Sequence, residues 1–295
     1  KHGALNIVNI FGETEHKIEY GKATEEAGAA AYASLQAAIA DLQKGTIDAL
    51  VCLPMNDATV KCEDGQAFEG QTAFINKTIS DGRKSLELLL SDQVRIAFAT
   101  TDISVADVST SVSQEAITEK LILLHNTLKR DFFIDNPRIA VLALNPRYNA
   151  EDQSSVEAQQ IKPVIEDLFK RGVRCFGPYS ADDFFGNGEY KHFDATLAMY
   201  HDQGAIPFRL LASDGGVNYM AGLPLVVTSP AHGTEYAVAG KNQADENPLR
   251  HALYKAIDIV RNRRQFDDER RNPLKKQYFE RRDDSDKLKL DQADS

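Results

Sequence analysis

The sequence predicts an α/β fold, a sheet whose strands are covered by helices on both faces, and three observations predict it. Several short runs are almost wholly apolar, at residues 47–53 (IDALVCL), 94–99 (VRIAFA) and 138–144 (RIAVLAL). A strand buried on both faces reads this way, rather than as strict alternation. Other segments carry apolar residues at helical spacing, such as Ile117, Leu121, Leu124 and Leu128, or Ile161, Val164, Ile165 and Leu168. The two kinds of segment alternate along the chain, which is the pattern of a helix-covered sheet.

Each element has a local reason. Thr24 is a candidate cap for a helix that continues through the Ala-rich stretch to Gln43. Glu25 and Glu26 suit its positive end, and Gly45 stops it. The run 47–53 is a strand ended by Pro54, and 94–99 is a second strand. Ser111 with Gln114 three residues on has a capping-box pattern, so a helix is expected to begin at Ser111. Residues 138–144 form a strand. The helix around Val164 stops at Gly172. Residues 173–176 and 195–199 are further strands, and 249–261 is the last helix. From about Gln265 the tail is dense in charge, including Arg281-Arg282-Asp283-Asp284, and is expected to be a solvated helix and a frayed end.

Composition narrows the function classes. The 295 residues suffice for one large or two medium domains, and 42% hydrophobic with 26% charged residues is an ordinary soluble composition. No apolar run reaches the length of a membrane span. Lys and Arg total 34 against 44 Asp and Glu, a formal charge of -10, which argues against a nucleic-acid partner. An anionic small molecule remains compatible if its positive partners are local. The three cysteines, Cys52, Cys62 and Cys175, form no CxxC pair, so free thiols and a cytoplasmic, reducing location are expected. The chain opens on Lys1-His2-Gly3 without Met or a signal-like segment, and a fragment lacking its N-terminal part is expected.

In open α/β sheets, ligand sites lie at the carboxyl ends of strands. Four strand ends turn polar at once: Pro54-Met55-Asn56-Asp57, Thr100-Thr101-Asp102, Asn145-Pro146-Arg147 and His201-Asp202-Gln203. His201 is a candidate metal ligand, although a lone strand-end His is more often a hydrogen-bonded structural residue, and zinc needs three or more ligands. A phosphate loop is excluded: from Gly233 to Lys241 there are six residues between the glycines, and Asn242 follows the Lys. The stretch HGTEYAVAGKNQADENP (His232 to Pro248) has glycines that admit a ligand close to backbone N–H groups. It reads equally as a surface loop before a capped helix.

Several motifs then occur in one order: TTDISV, ALNP, GPYSADDFF, YHDQGAIPF, DGGVN, AGLPLVVTSPAHGT and AGK. Together they resemble the 4-hydroxythreonine-4-phosphate dehydrogenase family of vitamin B6 biosynthesis, from about Leu5 to the C-terminus. The resemblance implies two α/β/α domains with a cleft between them, as in the isocitrate and isopropylmalate dehydrogenases. Residues 1–60 with 225–295 would form the cofactor side, and 61–224 the substrate, metal and dimerisation side. It implies a homodimer, NAD or NADP, a divalent metal such as zinc or magnesium, and a phosphorylated small-molecule substrate whose oxidised product then loses carbon dioxide. Neither nucleic acid nor membrane is implied.

Residue by residue, the resemblance places the metal ligands at Asp102 and His201, with Arg147 at the third position. It places substrate contacts at Gln71, Thr72, Arg147, Asp182, Arg209 and Asn218. Of these, Asp182, Arg209 and Asn218 would serve catalysis. His232, Gly233, Thr234, Ala239, Gly240 and Lys241 would hold the cofactor, because that loop is similar to the adenine-binding loop of the wider superfamily. Where the family has histidines, Asp102, Arg147 and Gln71 stand here, and its phosphate-contacting Arg is Val227. Asp ligates a divalent ion through oxygen, whereas Arg cannot ligate. Two other readings follow: a binding or regulatory protein that keeps the fold, or a dehydrogenase with shifted, metal-independent specificity. In the latter, Arg147 is expected to form an ion pair with Asp102 where a metal would stand.

Overall fold

The computed structural model describes residues 3–12, 19–61, 67–148, 151–212 and 215–272. The strands are β1 (Ala49–Val51), β2 (Leu86–Leu90), β3 (Arg95–Phe98), β4 (Ile139–Leu142), β5 (Cys175–Tyr179), β6 (Ala195–Ala198), β7 (Val217–Ala221) and β8 (Val226–Pro230). They join one sheet of eight strands in the order β1-β8-β7-β2-β3-β6-β4-β5. Strands β3, β6, β4 and β5 are parallel. Strand β2 runs antiparallel to both β3 and β7, β7 is antiparallel to β8, and β1 is parallel to β8. The polar segment after β1 therefore leaves the sheet at the opposite edge from those after β3, β4 and β6. Pro54, Met55 and Asp57 nonetheless line one cavity with Asp102 and His201.

The helices are α1 (Glu25–Gln43), α2 (Gln71–Ile79), α3 (Val105–Ser111), α4 (Gln114–Asp131), α5 (Lys162–Lys170), α6 (Ala181–Gly186), α7 (His201–Leu211) and α8 (Asn247–Arg271). Helix α1 is capped as expected: Thr24 Oγ1 accepts from the Ala27 N–H, and Gly45 adopts a left-handed φ of 72° just past its end. The expected start at Ser111 is corrected. Ser104 caps α3, which ends at Ser111, and Ser113 caps α4 by accepting from the Ala116 N–H. Two serines flank Val112, and only the second leaves room for the helix before it. Ile117, Leu121, Leu124 and Leu128 of α4 are completely buried, each stabilising by roughly 1.5–3 kcal/mol. Helix α8 runs ten residues beyond Arg261, to Arg271. The charge run 281–284 lies outside the described residues, as do Cys62 and Asp214.

The two faces of the sheet are covered differently. On one face a single cluster runs through β2, β3, β4, β6 and β7 and into α4, α5 and α8. A buried ionic knot pins it. Arg263 of α8 donates from Nε to Asp131 Oδ1 at 2.7 Å and from Nη2 to Tyr219 Oη at 2.7 Å, and Tyr219 Oη donates to Asp131 Oδ2 at 2.5 Å. On the other face the core splits. Leu89, Ile96, Phe98, Ala205 and Phe208 form one cluster under α7, and Leu35, Ile75, Met220 and Val227 form another under α1 and α2. Between the two clusters β2 and β7 are left open, and the principal cleft lies there.

Candidate active site

The cleft is a cavity of about 660 Å³. Helix α2 supplies Gln71, Thr72 and Asn76 on one wall, and α7 supplies His201, Phe208 and Arg209 on the other. Glu87 of β2 and Asn218 of β7 form its floor, while Asp102, His232 and Gly233 complete the rim.

His201 is held from three directions by its own motif. Its Nδ1 lies 2.9 Å from Asp202 Oδ1, and its ring stacks on Phe98 with centroids 5.4 Å apart and planes inclined by 26°. Gln203 accepts from the Met199 N–H at 2.7 Å and donates to the Ala143 carbonyl at 2.6 Å, tying the end of β6 to the end of β4. Gly204 lets α7 lie against the sheet: a Cβ there would sit 2.6 Å from Ile96 Cγ2 and 2.8 Å from Phe98 Cε1. Three of the four residues of His-Asp-Gln-Gly thus serve to aim the first. The resulting geometry leaves Nε2 as the imidazole's working nitrogen.

On the floor, Asn218 Nδ2 donates to Glu87 Oε1 at 3.0 Å, and Asn218 Oδ1 is buried with no protein donor. Burial pushes the Glu87 carboxyl above the usual range, and the charge of Asp102 adds to this; His201 and the Asn218 hydrogen bond oppose it. At the α2 wall, Gln71 donates its N–H to Asp57 Oδ1 at 3.3 Å and its Nε2 to the Leu53 carbonyl at 3.2 Å. Burial raises the Asp57 carboxyl, and the Gln71 N–H partly offsets this. Arg209 Nη1 donates to the Ala231 carbonyl at 3.2 Å. Lys120 of α4 reaches the cavity from the opposite layer, where its Nζ donates to the Ser85 carbonyl at 3.0 Å.

The structure brings Gln71, Thr72, Asp102, His201, Arg209, Asn218, His232 and Gly233 to one cavity, and leaves other expected residues outside it. Asp182 and Arg147 stand together beyond its lining. Ser180 Oγ donates to the Pro146 carbonyl at 2.8 Å and bonds to Asp182, and Arg147 is a minor contributor to the lowered acidity range of that carboxyl, behind Ser180 and the Asp183 N–H. The expected ion pair between Arg147 and Asp102 is absent. Strand β6 lies between β3 and β4, so the loops carrying the two residues emerge two strand spacings apart, roughly 10 Å. Buried Glu157 also fixes the β4 loop, accepting from the Asn145 N–H at 2.7 Å. Thr234, Ala239, Gly240 and Lys241 are likewise outside the lining. Their loop folds back on Tyr20, which lies 3.3 Å from where a Gly240 Cβ would be. Gly233 faces open space, with no atom within 4 Å of its Cβ position, so its backbone is reachable by a ligand such as a nucleotide.

The donors do not fit a three-ligand metal site. Among the described residues no group of three or more His, Cys, Asp or Glu is arranged to hold an ion, and Arg147 occupies the third position only in sequence. Glu87 and Lys120 were missed by sequence reasoning. One sits mid-strand and the other mid-helix, and no local pattern marks either as facing a cavity.

An α/β sheet with a polar cleft over two central strands, walled by two helices and edged by an aimed histidine and a glycine loop, defines a small-molecule-binding protein of the dehydrogenase-like α/β class. The profile described as "Pyridoxal phosphate biosynthetic protein PdxA" matches residues 1–256, and the chain belongs to that family. It is 47% identical over 294 residues to the 4-hydroxythreonine-4-phosphate dehydrogenase of Bacteroides thetaiotaomicron, covering 99% of this chain and 80% of that protein. It is 36% identical over 246 residues to that of Aquifex aeolicus, covering 83% and 75%. Among solved structures, the 4-hydroxythreonine-4-phosphate dehydrogenase of Klebsiella pneumoniae superposes with a TM-score of 0.69 at 28% identity, covering 81% of this chain and 72% of that one. Among the described residues no helix is long and apolar enough to cross a membrane.

Proposed function

We propose that the chain oxidises 4-hydroxythreonine 4-phosphate with NAD or NADP, giving a β-keto acid that loses carbon dioxide. The observation that carries the reading is the gathering of Gln71, Thr72, His201, Arg209 and Asn218, from separate stretches of sequence, into one cavity beside Gly233. Near-complete coverage at 47% identity to a dehydrogenase favours an enzyme over a non-catalytic binding protein.

A nicotinamide dinucleotide held near Gly233 would supply the hydride acceptor for the carbinol carbon. His201 accepts the hydroxyl proton at Nε2, with Nδ1–H donated to Asp202 so that the free nitrogen faces the cavity. Asn218 offers its carbonyl oxygen to a substrate donor, because Glu87 accepts from its amide nitrogen. Arg209 contributes charge at the rim. Helix α1 with β1 and β8, from residues 1–60 and 225–295, would form the cofactor side of the cleft, and α2 and α7, from 61–224, the substrate side.

The chain acts as a homodimer. Ile103 and Val105 border the His201 side of the cleft, and α7 exposes Ile206 and Leu210, the latter by 78%, a cost in water that a second copy would remove. Sedimentation should give a dimer that Leu210→Glu converts to monomer; a monomeric parent protein overturns this.

The deciding assay supplies NAD, the phosphorylated hydroxythreonine and, in a parallel arm, a divalent metal, and follows NADH. NADH formation is expected. Binding of neither dinucleotide nor substrate in either arm refutes the reading.

A further inference from the structure

The charges lining the cavity are unbalanced in a way that singles out one residue. Four carboxylates, Asp57, Glu69, Glu87 and Asp102, face two fixed cations, Lys120 and Arg209. A doubly charged phosphate entering this cavity is repelled by most of its wall, so it must bind where a cation stands clear of carboxylates. Arg209 is exposed, and one of its donors is committed to the Ala231 carbonyl. Lys120 is half-buried, and among the described residues its one acceptor is the Ser85 carbonyl, 3.0 Å away, which leaves two of its three N–H donors unspent on them.

Its neighbour in sequence, Glu119, forms its ion pair elsewhere. That partner is Lys84, and among the described residues Lys120 makes no ion pair. Burial pushes its ammonium below the usual range; Glu119 opposes this as the next largest influence, and Lys84 adds a smaller downward push. A half-buried cation that spends its hydrogen bonds on a carbonyl rather than a carboxylate is poised to gain from an anion. The Thr72 hydroxyl and the Asn76 amide line the same cavity and supply further hydrogen bonds of the kind a phosphate takes.

We propose that Lys120 is the phosphate-binding cation of this cavity, taking the substrate's phosphate against its ammonium while the carboxylate-rich floor at Glu87 receives the donor-bearing end of the molecule. The proposal rests on the reading that the substrate is phosphorylated.

Lys120→Met and Lys120→Arg are compared with the unaltered protein, using 4-hydroxythreonine with and without its phosphate. Lys120→Met should raise KM for the phosphorylated compound on the order of 10- to 100-fold, with Lys120→Arg recovering most of that. KM for the unphosphorylated compound should not move. Equal loss on both compounds, or no loss on the phosphorylated one, overturns the assignment. A second readout needs no turnover: inorganic phosphate alone should raise the thermal midpoint of the unaltered protein and not that of Lys120→Met, or of Lys120→Gln should the Met variant fail to fold. A rise in both proteins, or in neither, overturns the assignment. If the unaltered protein oxidises neither compound, the dehydrogenase reading falls, and the phosphate titration still decides Lys120.

Discussion

Replacing Gly204 by Ala tests whether the fold aims His201. In a helix interior the change should help, because Gly is about 1 kcal/mol worse than Ala. Here the added Cβ would lie 2.6 Å from Ile96 Cγ2, 2.8 Å from Phe98 Cε1 and 3.0 Å from Ala198 Cβ. Carbon contacts settle near 3.5–4.0 Å, so α7 has to withdraw from the sheet by roughly 1 Å. Overpacking of this kind costs about 1–3 kcal/mol, leaving a net loss of roughly 0–2 kcal/mol after the propensity gain. The larger effect should be on chemistry. His201 opens α7 and stacks on Phe98, one of the atoms' hosts that must yield. A 1 Å misplacement of a catalytic group costs on the order of 10²-fold. NADH formation should therefore fall by about that factor while the melting midpoint falls by no more than a few degrees. Gly186, at the end of α6, has nothing within 4 Å of its Cβ position and serves as control. Gly186→Ala should leave both readouts unchanged. Parent-like turnover in Gly204→Ala would refute the view that close packing of α7 sets the histidine.

Two further outcomes are expected. Asp131→Ala leaves Arg263 buried with its charge uncompensated, which costs about 3–5 kcal/mol, and Asp131→Leu with Arg263→Met should recover most of that; calorimetric midpoints that do not separate the single and double variants would contradict it. Glu87 has a raised pKa in the folded state, so the native protein binds more protons there than the unfolded chain, and this group's contribution to stability is lost as pH climbs from the unfolded value near 4.3 through the folded one. The midpoint of Glu87→Gln should thus exceed the parent's at pH 8 and converge with it towards pH 4.5; a gap that widens on acidification would reverse the assignment.

The strands β1, β3, β4 and β6 were legible because burial on both faces leaves an unbroken apolar run. Strand β2 was not: Glu87 interrupts it, and that interruption is where the sheet opens onto the cleft. Strands β7 and β8 were hidden for a related reason, since Asn218 and the rim after Pro230 belong to the site as much as to the sheet. Asp102 and His201 stood out because they follow strands where polarity changes abruptly, whereas Gln71, Thr72, Arg209 and Asn218 were reached only through the family resemblance. Lys120 lies seven residues into an amphipathic helix, and only the way α4 passes the start of β2 brings it to the cavity.

Strand order was the hardest thing to read, and it decides the most about chemistry. Asp102, His201 and Arg147 follow three apolar runs that look equivalent in sequence. In the sheet β6 stands between β3 and β4, so His201 is central while Asp102 and Arg147 lie to either side of it. Asp102 turns into the cavity, and Arg147 is drawn towards Ser180 and Asp182 by the bonds that fix the β4 loop. A fixed positive charge that stands away from Asp102 neither replaces an ion there nor repels one. The chemistry of the cleft therefore turns on Glu87, Asp102, His201 and Lys120, two of which no motif announces.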